Sequence, residues 1–203
     1  MTATKRYEIL DHLPAYGPMY IPVTEDDEPY FSEGFPIRFY KSDGSSWIAN
    51  FKPGWTNLNQ VFDFPQHDRI IVFAGGLGYI MSPNIEKPIE TIGLTINEIF
   101  QTENGSLICA DGISILIIDN QIGQLWQSER ISWDGFKDIK LVGDIISGLS
   151  YDPTNSINPW TAFSLNLKTK KIIGGSYRES VNRNPTMPKV NLQDKTQNKS
   201  WWT

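Results

Sequence analysis

Two histidines, His12 and His67, a single cysteine, Cys109, and a scatter of carboxylates near turns are the groups in this 203-residue chain that could do chemistry. His67 precedes Asp68, and a carboxylate can orient an imidazole for acid-base work. Adjacent residues of an extended chain point to opposite sides, however, so the pair reads as a solvated turn ahead of a strand at Arg69. Cys109, between Ile108 and Ala110, has the setting of a buried thiol, with nothing nearby to lower its pKa. Glu25, Asp26, Asp27 and Glu28 form the densest charge run. A calcium loop needs alternating ligands and a glycine at its bend, and this run has neither. It reads as a solvated acidic loop, with partner contact ranked ahead of a metal site and no metal expected. Asp111, Asp119, Glu129, Asp134, Asp138 and Asp152 lie near turns, and two of them facing one cleft at about 5 to 9.5 Å would suit glycoside hydrolysis. Gly75-Gly76-Leu77-Gly78 falls between two strands and reads as a hairpin turn, because a phosphate cradle needs a helix N-terminus behind it. No Walker loop, His-Glu-x-x-His, nucleophile elbow or paired-cysteine spacing occurs. The pattern leans away from an enzyme, with no catalytic residues and no cofactor expected.

Binding chemistry is better represented. The segment 124–136 holds Trp126, Trp133 and Phe136 beside Glu129, Arg130 and Asp134 around a turn, the mixture of aromatic anchors and charges that contact surfaces favour. The same residues could equally form a strand with a buried Trp126, a Glu129/Arg130 pair and a tight Asp-Gly turn. Trp55 after Pro53-Gly54 and Trp160 after Pro159 are loop-placed tryptophans of the same kind. Trp201-Trp202, large apolar groups next to a polar tail, read as an anchor that returns to the body or enters a partner.

These groups are positioned by strands. Apolar residues seldom recur at helical spacing, while short runs rich in Ile, Val, Leu and aromatics recur at 69–74, 77–81, 106–110, 113–118, 124–127, 137–142, 145–150, 161–167 and 170–173. Asn104-Gly105, Asp111-Gly112 and Asp134-Gly135 supply turn residues that tolerate positive φ. Run 113–118 is almost continuously apolar, as a strand covered on both faces would be, whereas 161–167 alternates as a half-exposed strand would. Helix competes with strand at 95–100 alone. The expected fold is all-β, an antiparallel meander forming a sandwich or strongly curved sheet, with a small or partial propeller as the alternative. One domain is expected over 1–177, an aromatic, proline-rich layer at 1–65 holding 13 of the 25 aromatics and a regular meander at 69–176, followed by a polar basic tail at 178–203.

Composition limits the partners. No run reaches the roughly 18 apolar residues of a membrane helix, and residues 1–10 carry Lys5, Arg6 and Glu8, so neither a membrane nor a secretory signal is expected. One cysteine permits no internal disulfide, and a cytoplasmic setting follows as the expectation. Net charge is −5, yet residues 178–203 hold five basic and two acidic residues, leaving the body strongly acidic. Such a body repels phosphate backbones, so nucleic acid is not an expected partner. The best-fitting class is a non-enzymatic domain that binds a basic protein, as immunity and antitoxin-type inhibitors do. A carbohydrate or small-ligand module, a carboxylate-based hydrolase and a structural subunit of a larger assembly are the alternatives. Oligomeric state stays open.

Overall fold

In the computed structural model the chain is all-β, 45% strand and 4% helix, as the periodicity requires. The structure describes residues 5–16, 19–120, 124–183 and 199–200. The chain forms two compact units, Met1–Asn97 and Glu98–Thr203, so the break falls inside the stretch read as a single meander.

The first unit packs two four-stranded sheets. In one, β1 (Tyr7–Ile9), β2 (Ile21–Val23), β3 (Phe35–Tyr40) and β4 (Ser46–Phe51) take the order β1-β3-β4-β2, with β2 parallel to β4 and the other pairs antiparallel. In the other, β5 (Gln60–Phe64), β6 (Arg69–Ala74), β7 (Leu77–Met81) and β8 (Glu90–Ile92) follow one another as an antiparallel meander. Period-2 alternation decides what fills the interior. Ile37, Phe39, Trp47 and Phe51 of the first sheet are buried in one cluster with Ile70, Val72, Tyr79 and Met81 of the second. Phe39 stacks on Trp47 with ring centres 5.0 Å apart, and Phe51 meets Tyr79 at 5.0 Å. The Tyr79 hydroxyl donates to the Lys52 carbonyl at 2.7 Å, so the ring is buried without orphaning its polar end.

Gly75-Gly76 closes the β6–β7 hairpin, as its sequence predicts. Both residues have positive φ, +54° and +81°, the conformation of the tight turns that match strand twist. A Cβ on Gly76 would lie 2.4 Å from the Ile96 carbonyl oxygen, so crowding as well as φ demands glycine. His67 ends a single 3-10 turn over Pro65–His67, and Asp68 follows it in the left-handed region. The N-terminal strand is fixed by Arg6, whose guanidinium pairs with both Asp63 and Asp68 at 2.6 Å.

The second unit also packs two sheets. β9 (Glu98–Gln101), β10 (Leu107–Ala110), β11 (Ile115–Ile118) and β12 (Gln124–Gln127) form one meander, and β13 (Phe136–Val142), β14 (Ile145–Tyr151), β15 (Trp160–Asn166) and β16 (Ile172–Gly174) form the next. The helix α1 (Ser176–Arg183) follows, and β17 (Lys199–Ser200) returns antiparallel to the free edge of β12. Ile108, Ala110, Ile115 and Ile117 face Phe136, Ile146, Phe163, Leu165 and Ile172 across the interior. All four β11 residues are buried, and Phe163 and Leu165 alternate with more exposed neighbours, so the two strand types distinguished by pattern are both present.

One local alternative is decided and one expectation corrected. Residues 95–100, where helix competed with strand, yield β9, because Glu98–Gln101 finds a full antiparallel partner in β10. The stretch from 176 onward, read as strand end and tail, opens with a helix. Residues 184–198 and Trp201-Trp202 lie outside the described residues, and with them the expectation that Trp201 and Trp202 anchor the tail.

Candidate binding surfaces

The segment 124–136 is where the second unit gathers its polar core. Beyond β12 the chain leaves the sheet, and Ile131, wholly buried, pins the turn. Ser132, Ser150 and Ser176 are also fully buried, each hydroxyl spent on backbone. Ser132 Oγ donates to the Gly135 carbonyl at 2.6 Å, Ser150 Oγ to the Thr161 carbonyl at 2.9 Å, and Ser176 Oγ to the Tyr151 carbonyl at 2.6 Å. The Ser176 amide returns a bond to Ser150 Oγ at 2.8 Å. Three hydroxyls thus tie the 131–135 turn, the ends of β14 and β15, and the start of α1 into one knot, satisfying groups that burial would otherwise penalise.

Around that knot the sequence-selected residues separate. Arg130 lies between two rings, its guanidinium carbon 5.0 Å from the centre of Trp133 and 4.7 Å from that of Tyr177, and it donates to the Ser132 and Trp133 carbonyls. Trp133 and Tyr177 meet edge to face at 4.8 Å. Glu129 pairs with Arg178 Nε at 3.3 Å, not with Arg130. Trp126 packs its ring on the interior cluster, with Lys170 Nζ 4.9 Å above it. Phe136 is core and meets Phe163 at 4.9 Å. Asp134 is exposed at the turn. The structure therefore brings Glu129, Arg130 and Trp133 together, and adds Tyr177, which sequence reasoning did not single out, and Arg178, which it left to the tail. An arginine held by two rings and two carbonyls acts as a clamp between the turn and α1.

Trp160 belongs to β15 and stands apart from this clamp, tilted against Tyr151 at 5.1 Å with Lys137 Nζ 4.0 Å over its ring. Trp55, in the first unit, is 79% exposed. Two of the carboxylates near turns, Asp111 and Asp152, are spent on the turns themselves. Asp111 accepts from the Ile113 and Ser114 amides and the Ser114 hydroxyl, and Asp152 from the Thr154 amide and hydroxyl. Glu98 has its proton affinity raised, by burial first and by the charge of Asp138 second. Burial likewise pushes the Cys109 thiol far above the range in which it would ionise. Among the described residues no three His, Cys, Asp or Glu side chains stand together as a metal site, and no helix is long and apolar enough to cross a membrane.

Charge is divided unevenly between the units. Residues 1–97 carry seven Lys and Arg against twelve Asp and Glu, while residues 98–203 carry eleven of each. The whole excess of −5 therefore belongs to the first unit. Its most acidic element is the loop 24–34, positioned from within by Asn50, a fully buried residue of β4. The Asn50 side chain accepts from the Gly34 amide and donates to the Ser32 carbonyl, both at 2.8 Å. Glu33 holds the neighbouring chain, accepting from the Leu13 amide at 3.2 Å and lying 3.1 Å from His12 Nδ1. On this frame Glu25, Asp26, Asp27 and Glu28 are all exposed, and of the four only Glu28 reaches a described cation, Lys52 at 3.5 Å. Phe31, in the same loop, is 86% exposed.

No family model matches the chain, and no curated protein matches its sequence.

Proposed function

We propose that the chain is a non-enzymatic protein-binding domain of the immunity or antitoxin type, in which the acidic first unit covers a basic surface of another protein. The observation that carries this reading is the loop 24–34, where three exposed carboxylates, Glu25, Asp26 and Asp27, have no ion-pair partner among the described residues and precede a solvent-exposed Phe31. Unpaired charges of one sign raise the encounter rate with an opposite surface, and an exposed aromatic ring supplies the apolar anchor that charge alone lacks. The loop is held by buried Asn50, so little ordering entropy opposes the contact. The Arg130 clamp plays a supporting part in this reading, since its polar groups are already engaged within the second unit.

Affinity capture with the intact chain over a range of ionic strengths tests the reading. The expected product is a basic protein that forms a discrete complex at low salt, and that the Glu25→Gln, Asp26→Asn, Asp27→Asn variant captures at least tenfold less well. Recovery of no protein at any ionic strength, or equal recovery by the variant, would overturn it.

A further inference from the structure

The sheet β13-β14-β15-β16 has a second face, turned away from the interior cluster. Register assigns it. Lys137 lies opposite Leu149 and Ala162, Lys140 opposite Ser147, Ser164 and Ile173, and Val142 opposite Ile145 and Asn166. The Asn166 amide bonds to the Lys171 carbonyl, which carries Lys171 into the last of these rows. Lysines at 137 and 140 would face opposite ways in a regular strand. An irregularity between them, with Asp138 at φ +54°, inserts one residue and brings both to the outer face while Phe136 and Leu141 keep pointing inward.

This face thus presents Lys137, Lys140 and Lys171, and its paired positions include no Asp or Glu. It also carries Val142, Ile145 and Ile173, three of the large apolar side chains that the unit leaves open to solvent, with Val142 at 72% and Ile173 at 61% exposure. At the rim, Asp144 of the β13–β14 turn is already paired with Lys168 at 2.6 Å, so the paired positions leave an apolar sheet face bearing lysines, the makings of a docking surface. Two copies cannot use it face to face, because six lysines would then be enclosed together. The complement present in the same molecule is the loop 24–34, which offers Phe31 and exposed carboxylates that have no ion-pair partner among the described residues.

We infer that the outer face of β13–β16 docks the acidic loop 24–34 of a second copy of this chain, giving a head-to-tail association. The inference rests on the reading of that loop as a contact surface. An interface of this kind uses different patches on the two copies, so assembly continues to a ring or an open series instead of stopping at a symmetric pair.

Sedimentation velocity of the full chain from 10 to 500 μM tests it. The expected result is a sedimentation coefficient that rises with concentration at 20 mM salt, with apparent affinity at least tenfold weaker at 500 mM. Two variants then separate the surfaces. Lys140→Glu with Ile173→Asp disables the sheet face, and Asp26→Lys with Asp27→Lys disables the loop, all at exposed positions where an unchanged melting curve verifies folding. Each variant alone stays monomeric, and an equimolar mixture forms a closed 1:1 dimer, because each supplies the patch the other lacks. A wild type that stays monomeric at 500 μM and 20 mM salt, association that strengthens with salt, or a mixture that stays monomeric would each overturn the inference. The sheet-face variant retains the acidic loop. Its continued binding of a basic protein would show that only self-association had failed, whereas loss of both would implicate the loop reading itself.

Discussion

The ammonium of Lys137 stands 4.0 Å above the ring centre of Trp160, across the one strand that separates them in the sheet. Lys137 pairs with Leu149 and Trp160 with Tyr151, so the two are diagonal neighbours reached through β14. Such a contact between partly exposed groups is worth about 0.5–1 kcal/mol. A double-mutant cycle with Lys137→Met and Trp160→Leu, followed by denaturant unfolding, is expected to return a coupling of that size. A coupling indistinguishable from zero would remove the pair as a fixed feature of the face.

The serine knot carries more. Ser176→Ala removes the donor to the Tyr151 carbonyl and the polar neighbour of the Trp133 amide in a fully buried setting. Leaving a buried partner unsatisfied costs about 1–3 kcal/mol. The denaturation midpoint should fall accordingly, and Ser176→Thr, which retains a hydroxyl, tests whether the loss is one of hydrogen bonding.

Gly76→Ala should destabilise the first unit. A non-glycine residue in the left-handed region costs about 1–2 kcal/mol, and the collision with the Ile96 carbonyl adds to it. Gly44→Ala is the control, since that glycine also has positive φ but a Cβ there meets nothing within 4 Å. Thermal melts of the two variants should differ, with Gly76→Ala the lower.

Acid should weaken the N-terminal strand through Glu8. Its carboxyl is held down to about 2 from an ordinary 4.5, chiefly by the Lys5 hydrogen bond and then by the Tyr40 hydroxyl. A depressed carboxylate stabilises the fold above its unfolded pKa, and that contribution is lost as pH falls from about 4.5 towards 2. Stability measured across this interval should slope less steeply in Glu8→Gln than in the wild type. Parallel slopes would contradict the assignment.

Cys109 should be silent towards thiol reagents in the folded chain. It is wholly buried on β10, and burial keeps the thiol protonated. Labelling at neutral pH is expected only at the rate of unfolding, and it should become immediate in denaturant.

Strands were legible where an apolar run was long enough to read, either continuously, as in β6 and β11, or alternating between faces, as in β15. The short strands β1, β2 and β8, three residues each, were not, because a run of that length has no period and owes its pairing to neighbours far along the chain. α1 escaped for a different reason. Its composition is polar, and its one local signal is the Ser176-x-x-Glu179 spacing of a helix start, directly after Gly174-Gly175. At the candidate surfaces, the acidic loop was visible as a charge run and the Arg130 region as an aromatic cluster. The partnership of Arg130 with Tyr177 was not, since 47 positions separate them. Nor was the cationic sheet face, because the shift between Lys137 and Lys140 breaks the alternation by which a face is read from sequence.

The central claim is that the exposed carboxylates on loop 24–34 bring a basic partner to the first unit. The most direct measurement is the association rate constant with the captured partner at low ionic strength, compared between the wild type and the Glu25→Gln, Asp26→Asn, Asp27→Asn variant. The account predicts a rate at least tenfold slower for the variant, converging with the wild type at high salt, with melting temperature unchanged. Equal rates at low salt would contradict it.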